Sequence, residues 1–357
     1  MDDMSTRGVH EDIHSPSGRL SFLQKVWVPL KIAIVWFPLL LLNLWAVSAL
    51  YVDCRIASFR TALVILYLAV LVFVLAKMVR HRALGWLICG CSVLIWWFTL
   101  NPTGNENWRP DVARTAWAET VDDQITVHNV RNCDYRSETE YTDCWSDRTY
   151  NLSDLRGVDF FFTNWGVRWI GHPIISFDFG NHHHLAFSIE ARFKAGQTYS
   201  AILGFFRQYE LVFIAADERD LIRLRTNYRK DEEVFMYRMD VSKDVARKFL
   251  LTYLTYLNQL RDHPEWYNAL TKNCTTTLTR QLSSDLPGAK HWTYKFLLNG
   301  SMDELLYDRR RFVTGGLPFE QLKAREHINP LAHTVGQSPA FSELIRVGRI
   351  GFESMRP

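Results

Sequence analysis

The chain has 357 residues, of which 48% are hydrophobic, and its formal net charge at pH 7 is only +3. A charge this close to neutral excludes the broad basic surface that nucleic-acid-binding proteins use, so no nucleic-acid partner is expected. The length allows one or two domains, and most of the aliphatic excess lies before Asn101.

Three apolar stretches precede Asn101, at about Val26 to Val52, Thr61 to Val79 and Ala83 to Leu100. Each is close to the ~20 residues that a helix needs to cross ~30 Å of hydrocarbon. A signal peptide is the alternative for the first stretch. The long polar leader and the two further stretches disfavour it. The pattern therefore predicts three transmembrane helices.

Basic residues near the apolar stretches predict the orientation. Lys77, Arg80 and Arg82 lie between the second and third stretches, and Arg19 and Lys25 precede the first. The positive-inside rule then puts the N-terminus in the cytoplasm and the larger part of the chain outside. We expect a multi-pass protein of a bacterial inner membrane with a periplasmic domain. The predicted units are a disordered cytoplasmic tail (1–25), a transmembrane part (26–100) and an extracytoplasmic domain (101–357).

Period-two alternation and short apolar runs predict the strands of the external domain, and 3.6-residue spacing predicts its longest helix. The polar segment from Arg131 to Tyr150 is predicted to be a loop, and the tail from Lys290 short helices and loops. The predicted strands are Gln124 to Val130, Val158 to Thr163, a hairpin within Trp169 to Arg192 that turns at Gly180-Asn181, Leu211 to Ala216 and Val234 to Met239. The predicted helix runs from its cap Ser242 to Asp262.

The predicted hairpin brings a histidine and a carboxylate together. Both of its strands alternate, and matching their apolar faces across a three-residue turn places His172 opposite Glu190. A slip by one pair would place Ser188 or Arg192 there instead. A carboxylate bonded to one imidazole nitrogen fixes the tautomer and leaves the other nitrogen free to accept a proton. An ordinary surface contact is the alternative interpretation of the pair.

Cys274 is far in sequence from every other cysteine, and Asn273 can cap a helix that runs from it to roughly Leu282. A thiol in the first turn of a helix lies at the positive end of the macrodipole, which lowers its pKa and makes it a nucleophile. The alternative is a buried structural cysteine. With His172 as base and Glu190 as orienting group, the residues fit thiol acyl transfer.

Three further groups leave alternatives open. In an oxidising compartment Cys133 and Cys144 could form a disulfide. The run His182 to His184 suggests zinc, but alternation lets at most two of these histidines point the same way, so an exposed turn is the better interpretation. The charged run from Asp217 to Asp220, followed by Arg223, Arg225 and Arg229, predicts an ion-pair network, with binding of an anionic head group as the alternative.

Several sequence blocks resemble the periplasmic domain of the Lnb-type lipoprotein N-acyltransferases, over roughly Glu106 to Gly351. That family is similar to circularly permuted papain-like (NlpC-like) thiol enzymes, in which the histidine precedes the cysteine. The blocks are His172 to Phe179, Leu185 to Arg192, Gly204 to Leu211, Asp217 to Thr226, Trp266 to Thr276, Leu298 to Gly300 and Leu317 to Phe319.

The resemblance implies an α+β fold, with an antiparallel sheet and a helix that bears the nucleophile, behind a three-helix membrane anchor. It implies Cys274 as nucleophile, His172 as base and Glu190 as the third polar group, with no metal or cofactor. Pro173 departs from the threonine that the family generally has after the histidine. The residues expected in substrate, oxyanion or supporting roles are Asn273, Ser176, Ser188, Arg192, Tyr267, Asn268, Glu218 and Arg219.

The implied reaction moves an acyl chain from a membrane phospholipid to Cys274 as a thioester, and then to the N-terminal amine of a lipoprotein. The backbone N–H of Cys274 is a candidate oxyanion donor. A cysteine peptidase or amidase acting on cell-wall or other periplasmic peptides is the nearest alternative, because the same residues serve it. A non-catalytic membrane-associated binding module is the alternative from a different class.

Overall fold

The computed structural model describes residues 22–78, 80–167, 170–180, 183–285 and 299–352. The chain forms two compact units, Met1–Thr99 and Leu100–Pro357. The predictions made for the N-terminal tail before residue 22, for Trp169, for Asn181 and His182, and for residues 290–298 lie outside the described residues.

The first unit contains three helices, α1 (Phe22–Asp53), α2 (Arg60–Lys77) and α3 (Arg82–Phe98). Two segments are long and apolar enough to cross a membrane: Ala33–Asp53, with a mean hydropathy of 2.0, and Ala57–Lys77, with 2.5. Only about a fifth of each is buried, unlike the core helix of a soluble protein. The third helix is apolar but shorter, so the structure supports two spans and leaves the predicted third unconfirmed.

Polar side chains join the three helices to one another. Tyr67 of α2 donates to the amide oxygen of Asn43 in α1 at 2.6 Å, and the Asn43 amide donates to the Trp86 carbonyl of α3 at 3.2 Å. The Trp97 indole donates to Asp53 at 2.7 Å. Interhelical hydrogen bonds of this kind stabilise helix packing in lipid, where water cannot satisfy the groups.

The second unit is built on an eight-stranded, largely antiparallel sheet, in which the predicted strands are all present. Its strands are β1 (Trp117–Val121), β2 (Gln124–Arg131), β5 (Trp145–Asn151), β6 (Gly157–Asn164), β7 (Gly171–Asp178), β8 (His184–Arg192), β9 (Glu210–Ala216) and β10 (Glu233–Arg238). Their order in the sheet is β1-β2-β9-β8-β7-β6-β10, and β5 pairs with β2. The β2–β9 pairing is parallel and consists of a single residue pair.

The β7–β8 hairpin has the predicted register. Its pairs run from Ile174 opposite Ser188 to Asp178 opposite His184, and the Phe179 N–H donates to the His183 carbonyl at 2.9 Å. Gly180 has a φ of 72°, which suits the turn to glycine, and a Cβ there would collide with Arg156. The register therefore agrees with the one predicted from the alternation of apolar residues and a three-residue turn.

The prediction of a loop from Arg131 to Tyr150 is wrong. The segment contains the short pair β3 (Asp134–Tyr135) and β4 (Tyr141–Thr142), and it then enters β5. β5 pairs with β2 and has one buried residue, Tyr150, among polar ones. Six of its seven residues are exposed or half-buried and most of them are polar, so the strand has no hydrophobic pattern by which it could be predicted.

Helices cover both faces of the sheet. One face carries Ile175, Phe177 and Phe187 and packs against α5 (Lys243–Asp262), α6 (Cys274–Asp285) and α7 (Met302–Asp308). The opposite face carries Ile174 and Ala186. It packs against α4 (Glu218–Arg223), α9 (Asn329–Val335) and α10 (Phe341–Leu344). The short helix α8 (Phe319–Arg325) contributes Leu322 to the first face. The predicted Ser242 cap of α5 is confirmed, since its hydroxyl accepts from the Val245 N–H.

Candidate functional site

Helix α6 begins at Cys274, as predicted. The Asn273 side-chain oxygen accepts from the Thr276 N–H at 2.9 Å, and the Thr276 hydroxyl accepts from the Asn273 N–H at 2.9 Å. This reciprocal pair satisfies one N–H of the first turn and fixes the direction in which the chain enters the helix. The helix continues to Asp285, three residues past the predicted end.

The Cys274 thiol is buried in an apolar cluster that also contains Tyr253, Tyr267 and Ile189. Its sulfur lies 3.8 Å from the Thr275 hydroxyl. Burial raises the pKa of Cys274 to about 11, and the hydrogen bonds from Thr275 oppose this only in part. The predicted lowering of the thiol pKa is therefore wrong: the helix start lies in the core, where desolvation of a thiolate outweighs the helix dipole.

His172 lies at the start of β7, two residues before Ile174. The β7–β8 pairing ends at Ile174 and Ser188, so His172 lies just beyond the paired part of the hairpin. Its Nε2 lies 2.7 Å from the Ser188 hydroxyl, which donates to Glu190 Oε1 at 2.7 Å. Because Ser188 gives its proton to Glu190, it accepts from the imidazole, and Nε2 is the protonated nitrogen. Nδ1 makes no hydrogen bond within the described residues and keeps its lone pair.

Glu190 acts on His172 through Ser188 rather than directly. The carboxylate lies 3.7 Å from Nε2, so the predicted pair is near, but Ser188 bridges it. Arg225 donates to Glu190 at 2.8 Å and to Glu232 at 3.1 Å. Although burial opposes ionisation, the Arg225 guanidinium and His172 hold the pKa of Glu190 far below its usual range.

The imidazole is neutral at physiological pH. Burial first, and then the charge of Arg225, lower the pKa of His172 to about 3, although Glu190 opposes them. Neutrality keeps Nδ1 available as a proton acceptor. The low pKa also makes the resting imidazole a weak base.

Cys274 and His172 share an electrostatic environment without touching. Helix α6 packs against β7 and β8, and the pKa of Cys274 is raised by Glu190 and lowered by Arg225. These same two groups act on His172. Within the described residues no hydrogen bond joins the Cys274 sulfur to the imidazole. Alternation places His172 on the face of β7 opposite the residues that cluster with Cys274, so the resting structure does not pair them directly.

Ser176 and Glu218, predicted to support the site, lie in a separate buried cluster around Arg346. The Ser176 hydroxyl donates to Glu218 at 2.6 Å, and Arg346 donates to Glu218 and to Asp159 at distances of 2.6 to 3.1 Å. His184 is buried beside them, and neither of its ring nitrogens has a hydrogen-bond partner among the described residues, although Nε2 lies 3.7 Å from Asp178. Asp159, His184 and Glu218 have the spacing of metal ligands. Both carboxylates already pair with guanidinium groups, Asp159 with Arg238 and Arg346, and Glu218 with Arg346.

The remaining predicted residues hold loops in place. Arg192 donates to the carbonyls of Val112 and Ala113 and covers the Trp108 ring. The Arg219 N–H completes the Asp217 cap of α4, and Tyr267 packs its ring near Tyr209 and Tyr199. The Asn268 side chain shapes the loop before α6 by accepting from the N–H groups of Leu270 and Thr271.

The ion-pair network predicted after β9 is confirmed. Asp220 binds Arg131 at 2.7 Å, Asp217 binds Arg148 at 2.9 Å, and Arg229 binds Glu232 at 3.3 Å. These charged side chains pair with one another. The ion pairs account for the charged run without the alternative of a bound anionic head group.

Cys133 and Cys144 are free thiols, one buried and one exposed. Sequence reasoning did not assign Arg225 its place beside Glu190, and the only signal was its position in the charged run. It also overlooked Arg346, which has no motif around it.

Residues 141–300 match the family model described as the Lnb N-terminal periplasmic domain. The match covers just under half of the chain and includes the His172, Glu190 and Cys274 blocks. It confirms the resemblance found in the sequence, over a shorter range than Glu106 to Gly351. No curated protein and no solved structure matches the chain.

Proposed function

Because residues 141–300 belong to the Lnb N-terminal periplasmic domain family, we propose that this membrane-associated periplasmic protein is a thiol acyltransferase. The specific proposal is transfer of an acyl chain from a membrane phospholipid to the N-terminal amine of a lipoprotein. The observation that carries it is the Glu190–Ser188–His172 chain of hydrogen bonds, which leaves Nδ1 of the imidazole free to accept a proton, on a strand against which the capped helix that begins at Cys274 packs.

In the proposed first step, His172 Nδ1 takes the proton from Cys274 as the sulfur attacks the ester carbonyl of the lipid. The Cys274 N–H, at the start of α6, donates to the oxygen that becomes negative. The ester C–O bond then breaks, and the imidazolium returns its proton to the departing alcohol. The product of this step is a thioester on Cys274.

In the second step the lipoprotein's amine attacks the thioester carbonyl. A new amide bond forms, the C–S bond breaks, and the amine proton returns to the sulfur through His172. Because the resting thiol has a pKa of about 11, the proton must leave as the sulfur attacks, once substrate has brought the imidazole and thiol together. Closure of this kind fits catalytic hydrogen bonds that tighten only in the substrate complex.

The direct test is intact-mass analysis of the full-length protein reconstituted with phospholipid. We expect an acyl adduct on Cys274 that disappears when a lipoprotein acceptor is added. Cys274→Ser should carry no thioester, and His172→Ala should accumulate the adduct at least about 100-fold more slowly. Formation of product without any adduct on Cys274 would exclude the covalent route.

The same experiment distinguishes two competing functions. A peptidase or amidase would release the acyl group to water, so free acid would form at the same rate with and without an amine acceptor. A non-catalytic binding module is favoured by the buried, protonated thiol and by the missing contact with His172. It predicts that neither adduct nor product forms, and that Cys274→Ser leaves lipid and lipoprotein binding unchanged.

A further inference from the structure

Four large apolar side chains are exposed on two loops that adjoin the start of α6. Tyr199 is 53% exposed, Ile202 70%, Phe205 39% and Leu270 50%. Exposed apolar residues are ordinary when single, but a group of them on a soluble surface marks a contact site. We call these four residues the apolar rim.

The two loops of the apolar rim are one structural feature. The Ala269 N–H donates to the Gly204 carbonyl at 2.8 Å. A Cβ on Gly204 would lie 3.1 Å from the Ala269 side chain, so the loops pack closely at this point. The Tyr199 and Tyr267 rings lie 6.5 Å apart, edge to face. The four exposed side chains are therefore presented together.

Polar bonds inside the loops hold the apolar side chains outward. Asn268 and Lys272 exchange backbone hydrogen bonds at 3.0 Å, which leaves Leu270 at the tip of a tight loop. The Tyr209 hydroxyl bridges the Ser200 N–H and the Thr198 carbonyl, each at 2.9 Å. Ordered loops that point apolar residues into water indicate a surface that is covered in use.

The apolar rim adjoins the proposed nucleophile. Leu270 lies four residues before Cys274. Tyr267, which is buried beside the rim, belongs to the same apolar cluster as the Cys274 thiol. The apolar contacts are thus continuous from the exposed loops to the buried sulfur.

The chain itself indicates what covers the rim. Leu100 follows α3 by two residues, and its carbonyl accepts from the Trp266 indole at 2.7 Å. Leu100 is the first residue of the second unit, so the chain enters this unit beside the segment that leads into the Leu270 loop. Trp266 also stacks with Arg207, and Tyr199 belongs to the rim, so the surface has the aromatic and cationic residues typical of a membrane interface.

We propose that Tyr199, Ile202, Phe205 and Leu270 insert into the outer leaflet of the membrane and form the surface from which lipid acyl chains reach Cys274. Apolar side chains buried at the head-group boundary, with basic and aromatic neighbours, bind a bilayer in this way. The role as an entry for the acyl donor rests on the proposed function. Insertion into the bilayer does not depend on it.

Photocrosslinking of the full-length protein in phosphatidylethanolamine–phosphatidylglycerol proteoliposomes tests the insertion. Benzoylphenylalanine replaces Ile202 in one sample and Val121, which is 67% exposed on the β1–β2 hairpin, in the matched control. We expect phospholipid adducts at position 202 and none at position 121. Equal yields at both positions, or crosslinks to protein alone at position 202, would overturn the proposal. This measurement requires no acyl transfer, so its outcome does not depend on whether the protein is an acyltransferase.

A double substitution tests the role as an entry. Ile202→Asp with Leu270→Asp should lower thioester formation from bilayer lipid at least tenfold, whereas Val121→Asp should leave it unchanged. Alkylation of Cys274 by iodoacetamide, a small water-soluble reagent, should keep its wild-type rate in both variants, which shows that the site is intact. Wild-type thioester formation in the double variant would refute the entry. If Cys274 alkylation changes in the double variant, the same comparison is made with Ile202→Asp alone, where wild-type thioester formation counts against the entry.

Discussion

Ser188 connects His172 to Glu190 by hydrogen bonds, and these bonds determine the tautomer of the imidazole. Its hydroxyl is fully buried and bonded on both sides, at 2.7 Å each. Ser188→Ala leaves the Nε2 proton without an acceptor and frees the ring to turn. We expect acyl transfer to slow by about 10- to 100-fold, because positioning is part of what general base catalysis contributes.

Ser188→Thr provides the matched control, because it retains a hydroxyl at the same position. Thioester formation by this variant should exceed that of Ser188→Ala, and thermal unfolding should confirm that both are folded. Equal rates for Ser188→Ala and the wild type would show that His172 does not depend on this bond.

Glu190 and His172 both make stability fall at low pH. The pKa of Glu190 is lowered in the folded state, so its contribution is complete above its unfolded pKa of about 4.3 and is lost as the pH falls below that. The pKa of His172 is also lowered, to about 3, so the unfolded state binds its proton first and destabilises folding as the pH falls below about 6.5.

Glu190→Gln separates the two effects. The variant should keep the loss of stability between about pH 6.5 and 4.5 that comes from the histidine, and should lose less stability than the wild type below about pH 4. Denaturant unfolding from pH 7 to pH 3 measures both regions. An unchanged profile below pH 4 would contradict the assignment of the lowered carboxylate pKa to Glu190.

At the scale of the element, the start of α6 depends on Asn273. Asn273→Ala removes an acceptor from the Thr276 N–H and should lower the free energy of unfolding by about 0.5 to 2 kcal/mol. Asn273→Ser keeps a capping oxygen and should recover most of that loss. Urea unfolding of the three proteins provides the comparison, and equal stability of the alanine variant and the wild type would show that the cap is redundant.

Sequence reasoning recovered the elements whose residues alternate or repeat clearly. The β7–β8 register followed from two apolar faces, and the α6 start followed from an asparagine before a polar helix. β5 was not predicted, because it lies at an edge of the sheet and its exposed side chains are polar. The β2 bulge between Val127 and Val130, where Asn129 has a φ of 57°, also has no pattern in the sequence.

At the scale of the molecule, the burial of Cys274 could not be predicted, because local residues indicate a helix start but not what packs against it. The apolar cluster around the thiol joins α5, α6 and the sheet. The same holds for Arg346, whose partners Asp159 and Glu218 lie 187 and 128 residues away in sequence. Ion pairs between residues that are distant in sequence produce no periodic pattern from which they could be predicted.

Arg346 fastens the C-terminal segment to the sheet, which gives the last prediction. Its guanidinium is fully buried between Asp159 and Glu218, and their charges raise its pKa despite burial. Arg346→Met should leave the buried Glu218 carboxylate without a cation and Asp159 with Arg238 alone, and should lower stability by about 3 to 5 kcal/mol. Hydrogen exchange should then increase first in residues 328–346, which pack on that face of the sheet through Ile328, Ala332, Phe341 and Ile345.

Adding Glu218→Gln to Arg346→Met removes the charge that is left without a cation, so the double variant should be more stable than Arg346→Met alone. Because the cluster lies apart from Cys274, iodoacetamide alkylation of the thiol should remain at the wild-type rate in the double variant under native conditions. Faster alkylation would mean that the Arg346 cluster also holds the nucleophile in place, so that the two faces of the sheet are coupled.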